Sequence, residues 1–240
     1  MDIHKPHAPH SWGEFAREIA TIVTGILIAL ALEQGVNWVR DGNLADEARN
    51  SVRSEIASNL ALLAVRRENQ ICVDRRLAEL GPLLRASAGG TPVPHPLWIS
   101  RPTYLPMLTQ NMDAARASGR LSLLPPDEQR SFASYAVQFS TITEMEQREQ
   151  FAWAKLRGLE DWDGPLDPAA RIAFVEALQD ARFTTYRLRA NWMNLFYQAG
   201  RDHIAPAPNS SVHSSAICLP IGTSRAQALR LRVSPFGDPE

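Results

Sequence analysis

The stretch EIATIVTGILIALALEQ, residues 18–34, constrains this chain more than any other. Between Glu18 and Glu33 it holds fourteen residues without a charge. As a helix those fourteen cover only ~21 Å of a ~30 Å hydrocarbon slab. The flanks lengthen it. SWGEFAREI leads in, EQGVNWVRDG leads out, and no strong helix breaker occurs before the DGN at residues 41–43. Trp12 and Trp38 stand 26 residues apart, or ~39 Å along a helix, near the spacing of the two bilayer interfaces. They are therefore read as interface anchors. Phe15, Val36 and Val39 add apolar surface, and Arg17 can extend outward to water. Glu33, at the edge of a headgroup region, costs much less than the ~2.5 kcal/mol or more of a charge at the bilayer centre.

Two other readings of the run fit its flanks less well. A cleaved export signal wants basic residues ahead of it, yet Glu14 and Glu18 flank Arg17, and the best small-residue site, residues 29–31, falls inside the run. A soluble core helix should carry a polar stripe, and residues 19–32 offer only Thr21 and Thr24. The run is expected to be a transmembrane anchor over residues 12–40, behind an N-terminal tail of residues 1–11. One face of the anchor runs Thr21, Gly25, Ala29 at i, i+4, i+8. Small residues at that spacing let two helices approach closely in lipid, so a homodimer through the anchor helix is an expectation. The cations on either side of the run give no clear orientation. A short tail before a first apolar segment favours the tail inside and the main domain exported.

Beyond the anchor the periodicity is helical. Residues 43–80 place apolar or small side chains at 44, 48, 52, 56, 60, 63, 71 and 77, with charge on the other faces. A joint is expected at Gly42 and an end at Gly81-Pro82. Residues 86–106 form a long proline- and glycine-rich connection, of a length that is often functional or draped over a surface. A short helix ends near Ser118-Gly119. Pro126 with Asp127 and Glu128 marks a helix start, since proline fits the first turn and acids favour that end of the dipole. Phe132, Ala136, Phe139 and Ile142 mark its apolar face, resumed at Trp153 and Leu156. Asp167 as N-cap and Pro168 at the first position open the last long helix. That helix carries Val175, Leu178, Leu188, Trp192, Leu195 and Ala199 and stops at Gly200. Strand alternation of useful length is missing. The expected fold is all-α, an N-terminal transmembrane helix followed by a bundle of about four helices over residues 43–201. Residues 202–240 read as a C-terminal coil with a short helix at residues 224–232.

The stretch EFAREIATIVTGILIALALEQGVNWVRD, followed later by ASGRLSLLPPDEQRSFASY, resembles an uncharacterised family of bacterial single-pass membrane proteins. Its members show a glutamate, an apolar IGILIAL-type run and a later SGxLxLL segment before a helix. Here Ala-Leu-Glu-Gln at residues 31–34 stands where one branch ends in a Gln-Ile-Asn-Asn type of sequence. The resemblance implies the anchor-plus-helices plan in a bacterial inner membrane, and brings no activity with it.

Composition narrows the function further. A formal net charge of −1, with acids interspersed among the arginines, supplies no clustered basic face for nucleic acid. Cys72 and Cys218 are the two cysteines, too few for a cysteine zinc site and without a CxxC pair. In an exported domain they are expected to form one disulfide tying the C-terminal coil to the first long helix; the alternative is two unrelated buried thiols. No GxSxG, HExxH, P-loop or GxGxxG occurs, and no glutamate has a histidine three residues later. His4, His7 and His10 recur every third residue, but lack a carboxylate or thiolate to complete a metal shell. Glu144, Glu146 and Glu149 interrupt an apolar face. They are read as a solvated face, or else as a pocket wall opposite Arg182 and Arg187. Trp153, Trp192, Phe196 and Tyr197 are read as core. The chain is expected to be non-enzymatic and cofactor-free, a membrane-anchored interaction or scaffolding domain whose partners are the lipid bilayer and an unidentified protein. A ligand-sensing or solute-binding bundle, with residues 86–106 and the Glu144–Glu149 face as its mouth, is the alternative from another class.

Overall fold

The computed structural model describes residues 12–208 and 216–230. The N-terminal tail with His4, His7 and His10 lies outside the described residues, as does the end of the helix expected at residues 224–232. The first helix, α1 (Trp12–Glu68), runs 57 residues without interruption. The joint expected at Gly42 is absent. A lone glycine costs a helix only about 1 kcal/mol, and Ala45, Ala48 and Val52 are buried directly after it, which offsets that cost by packing. Residues 12–43 are exposed throughout, and α1 is long and apolar enough to cross a membrane.

The single helix expected over residues 43–80 is in fact two. Asn69 interrupts it, with φ −79° and ψ −3° and its Nδ2 donating back to the Val65 carbonyl at 3.2 Å. Asparagine competes for local backbone groups in this way, which makes it a poor helix-interior residue. The second helix, α2 (Gln70–Ala86), then runs past Gly81 and keeps Pro82 inside it. Proline removes one backbone donor, and α2 ends a turn later. The short α3 (Gln110–Ala117) follows, then α4 (Pro126–Arg157), α5 (Pro168–Arg201) and α6 (Arg225–Arg230). Pro126 and Pro168 open α4 and α5 as expected, and the Asp167 carboxylate accepts from the Ala170 N–H at 2.8 Å. No strand occurs among the described residues, and the fold is all-α.

Helices α4 and α5 pair antiparallel: Ser134 meets Gln198 near one end, Glu149 meets Thr185 midway, and Gly158 lies beside Phe174 at the other. The core they share is divided in two. One cluster joins Val52, Ile56, Leu60 and Leu63 of α1 to Phe132, Phe139 and Ile142 of α4 and Leu188, Trp192 and Leu195 of α5. The other joins Val73, Leu77 and Leu80 of α2 to Trp153 and Leu156 of α4 and Leu178 and Ala181 of α5. The long connection is packed into this second cluster, with Val93, Leu97 and Ile99 buried. Arg76, with no exposed surface, fastens it. Its guanidinium donates to the carbonyls of Trp98 and Ile99, to that of Leu219, and to Glu79 at 2.9 Å. Glu160 accepts from the N–H groups of Ile99 and Ser100 at 2.7 and 2.8 Å. In the first cluster, Glu55 accepts from the free N–H groups of Asn111 and Met112 that open α3, and Asn59 both donates to and accepts from Leu108. Buried polar groups therefore hold the connection down at its middle and at its entry into α3.

Candidate functional site

Between the two apolar clusters lies a buried polar layer, and helical register explains how it forms. On α4 the core positions run Ile142, Glu146, Glu149, Trp153, so two glutamates occupy places where the period demands apolar side chains. On α5, Thr185 stands in the core series between Ala181 and Leu188. On α1, Arg66 follows Asn59 and Leu63 inward, one turn before the break at Asn69.

Arg66 and Glu149 each show 1 % of their side-chain surface. Nη2 of Arg66 donates to both Glu149 oxygens, at 2.7 and 2.9 Å, and Thr185 Oγ1 donates to the same carboxylate at 2.9 Å. The guanidinium also sits 5.4 Å from the centroid of the Trp192 ring, a cation–π distance. Glu146 is buried in the same layer, and neither of its oxygens has a hydrogen-bond partner of good geometry. Burial pushes its carboxyl up to about 8. The Arg66 charge and the Leu105 amide oppose that rise, and the charge on Glu149 adds to it. At neutral pH Glu146 therefore keeps its proton.

The expectation of a solvated face is overturned for Glu146 and Glu149; only Glu144 is exposed. The partner is also not one of those expected. Arg182 donates to the Leu77 carbonyl at 3.1 Å, Arg187 is exposed, and the cation that meets Glu149 comes from α1, 83 residues away. The signal that could have found it was the helical phase of Arg66 with Leu63. Ile71, placed in the expected apolar stripe, is 76 % exposed.

Cys72 and Cys218 are brought together, with Sγ atoms 2.11 Å apart, which ties the C-terminal segment to α2. Thr21, Gly25 and Ala29 lie on the exposed part of α1. A Cβ added at Gly25 would meet nothing within 4 Å, and Thr21 Oγ1 is turned back onto the Arg17 carbonyl at 2.9 Å. Trp12 and Trp38 are exposed at the two ends of the apolar segment. Of the aromatic set expected in the core, Trp153 and Trp192 are buried and Phe196 is partly so, whereas Tyr197 is 71 % exposed.

Tyr197 belongs to a second feature. On α5, Phe183, Tyr186, Met193 and Tyr197 are all exposed, and at ~100° per residue they fall within one arc of about 80°, opposite the core face. Arg201 lies 5.4 Å from the Tyr197 ring centroid at the end of this stripe. Beside Tyr186 a groove of about 330 Å³ opens between α2 and α5, lined by Asp74, Leu77, Ala78, Arg182, Thr185 and Arg189.

No three His, Cys, Asp or Glu side chains gather as a metal site would need among the described residues. These features define a class of protein: an all-α domain carried by a long N-terminal apolar helix. No protein-family model, curated protein or solved structure matches the chain.

Proposed function

We propose that the chain is a single-pass membrane protein whose helical domain works through protein contacts, as an interaction or scaffolding module on the exported side of a bacterial inner membrane. One observation carries the reading. The large apolar side chains of the first half of α1, from Trp12 at 87 % to Phe15 at 44 % exposed, are covered by nothing else among the described residues. In water such a surface costs ~25 cal/mol per Å², whereas hydrocarbon removes that cost. The cysteine pair supports export, because disulfides persist in oxidising compartments. The sensing alternative has less support. The residues it would use as a mouth are filled by the packed connection and the Arg66–Glu149 pair. Carbonate washing of membranes, followed by protease treatment of spheroplasts, tests the proposal. The protein should stay with the membrane and lose its domain to external protease. Release by carbonate overturns the anchor, and protection of the domain overturns the orientation.

A further inference from the structure

Within the interaction reading, which this inference rests on, we infer that the outer face of α5 docks an acidic, apolar-faced helical segment of another protein. The stripe Phe183, Tyr186, Met193, Tyr197 follows i, i+3, i+10, i+14, and Ala190 fills the turn between Tyr186 and Met193. It extends about 21 Å, or four helical turns. That length and period suit a partner helix laid along it, with apolar anchors at matching spacing. The adjacent groove of about 330 Å³ offers one anchor side chain a pocket walled by Leu77 and Ala78.

Charge selects the partner. From residue 181 to 201 the helix has no Asp or Glu, and Arg182, Arg187, Arg189 and Arg201 border the stripe on both sides and at its end. Arg189 is matched by Asp74 at 2.6 Å. Arg187 and Arg201 have no carboxylate within ion-pair distance among the described residues. A second copy offers the wrong complement, since α5 against α5 sets arginine against arginine. A helix with glutamates or aspartates bordering its apolar face satisfies both features at once.

The test uses the full chain in lipid nanodiscs and two synthetic helical peptides. Both carry the same leucine face at i, i+3, i+7, i+10 and i+14; one is bordered by glutamates, the other by lysines. The glutamate peptide should bind saturably and at least tenfold more tightly than the lysine peptide, and weaken as salt rises. Tyr186→Ser with Met193→Ser should cut binding at least tenfold. Arg187→Glu with Arg201→Glu should reverse the preference between peptides. All these positions are exposed, and unchanged thermal melts confirm folding. Equal affinity for both peptides, no saturable binding, tighter binding of a single-stranded oligonucleotide, or variants that alter only self-association would each overturn the assignment. Photo-crosslinkers spread over the rest of the bundle separate the two claims. If the peptides fail but other surfaces crosslink to a partner that purified protein then binds directly, only the α5 assignment falls. If no surface does, the interaction reading falls with it.

Discussion

Replacing Glu146 with glutamine probes the polar layer through a buried carboxyl whose oxygens have no hydrogen-bond partner of good geometry. Glutamine has nearly the shape of the protonated acid and cannot ionise. In the unfolded chain the carboxyl titrates near its ordinary value of 4.5; in the folded chain it is pushed up to about 8. Between those values the unfolded state has released a proton that the folded state retains. The folded state then binds more protons, so stability falls as pH rises through this window and levels off above it. Each pH unit of separation is worth ~1.36 kcal/mol, and about two and a half units lie between 4.5 and neutrality, so ionisation in the unfolded chain lowers wild-type stability by about 3 kcal/mol at pH 7. Glu146→Gln should therefore be more stable by about 3 kcal/mol at pH 7, nearly equal to wild type near pH 4.5, and favoured by a constant larger margin above pH 8. Urea unfolding of the detergent-solubilised chain, followed by tryptophan fluorescence at pH 5, 7 and 9, measures this. A difference between variant and wild type that does not change with pH refutes the argument, since the cost would then be packing and not protonation.

Other parts of the structure make shorter predictions. Arg66→Ala leaves the Glu149 carboxylate buried without its cation and should cost about 3–5 kcal/mol in urea unfolding; adding Glu149→Gln should recover a large part of that. Replacing Cys72 and Cys218 by serine opens a loop of 146 residues of separation and should lower stability by about 4–5 kcal/mol in the chain-entropy model, seen as a lower urea midpoint. Asp167→Ala removes the cap at the start of α5 and should cost about 1 kcal/mol. For the anchor, Gly25→Leu should weaken crosslinking between copies; a yield equal to wild type removes Thr21, Gly25 and Ala29 as a helix-pairing face.

Much of the architecture could be read locally. Pro126 with its acids and Asp167 with Pro168 announce their helices because capping chemistry is a nearest-neighbour matter. The stripes of α1 and α4 follow because burial imposes a period of 3.6. Two things were hidden for opposite reasons. Glu146 and Glu149 look solvated because charged side chains are rarely buried without partners, and the arginine that makes burial possible lies on another helix. The α5 stripe is visible only in helical phase and not in residue type. Trp192 and Tyr197 are five residues apart, which turns them about 140° from each other around the helix. One faces the core and the other faces out. Gly42 is the converse case, a residue with breaker chemistry held in a helix by the packing that begins beside it.

The unbroken α1 also has a mechanical meaning. At ~1.5 Å per residue, its 57 residues make a rod about 86 Å long. Nothing in that rod acts as a swivel before Asn69, so twisting its apolar half by some angle twists Val52, Ile56 and Leu60 by the same angle. Leaning it by ten degrees carries the far end sideways by roughly 15 Å, by simple geometry on that length. In the proposed bilayer setting, the thickness and slope of the lipid around residues 12–40 therefore steer where the outer face of α5 points, as the mounting of a mast steers what is fixed to its top.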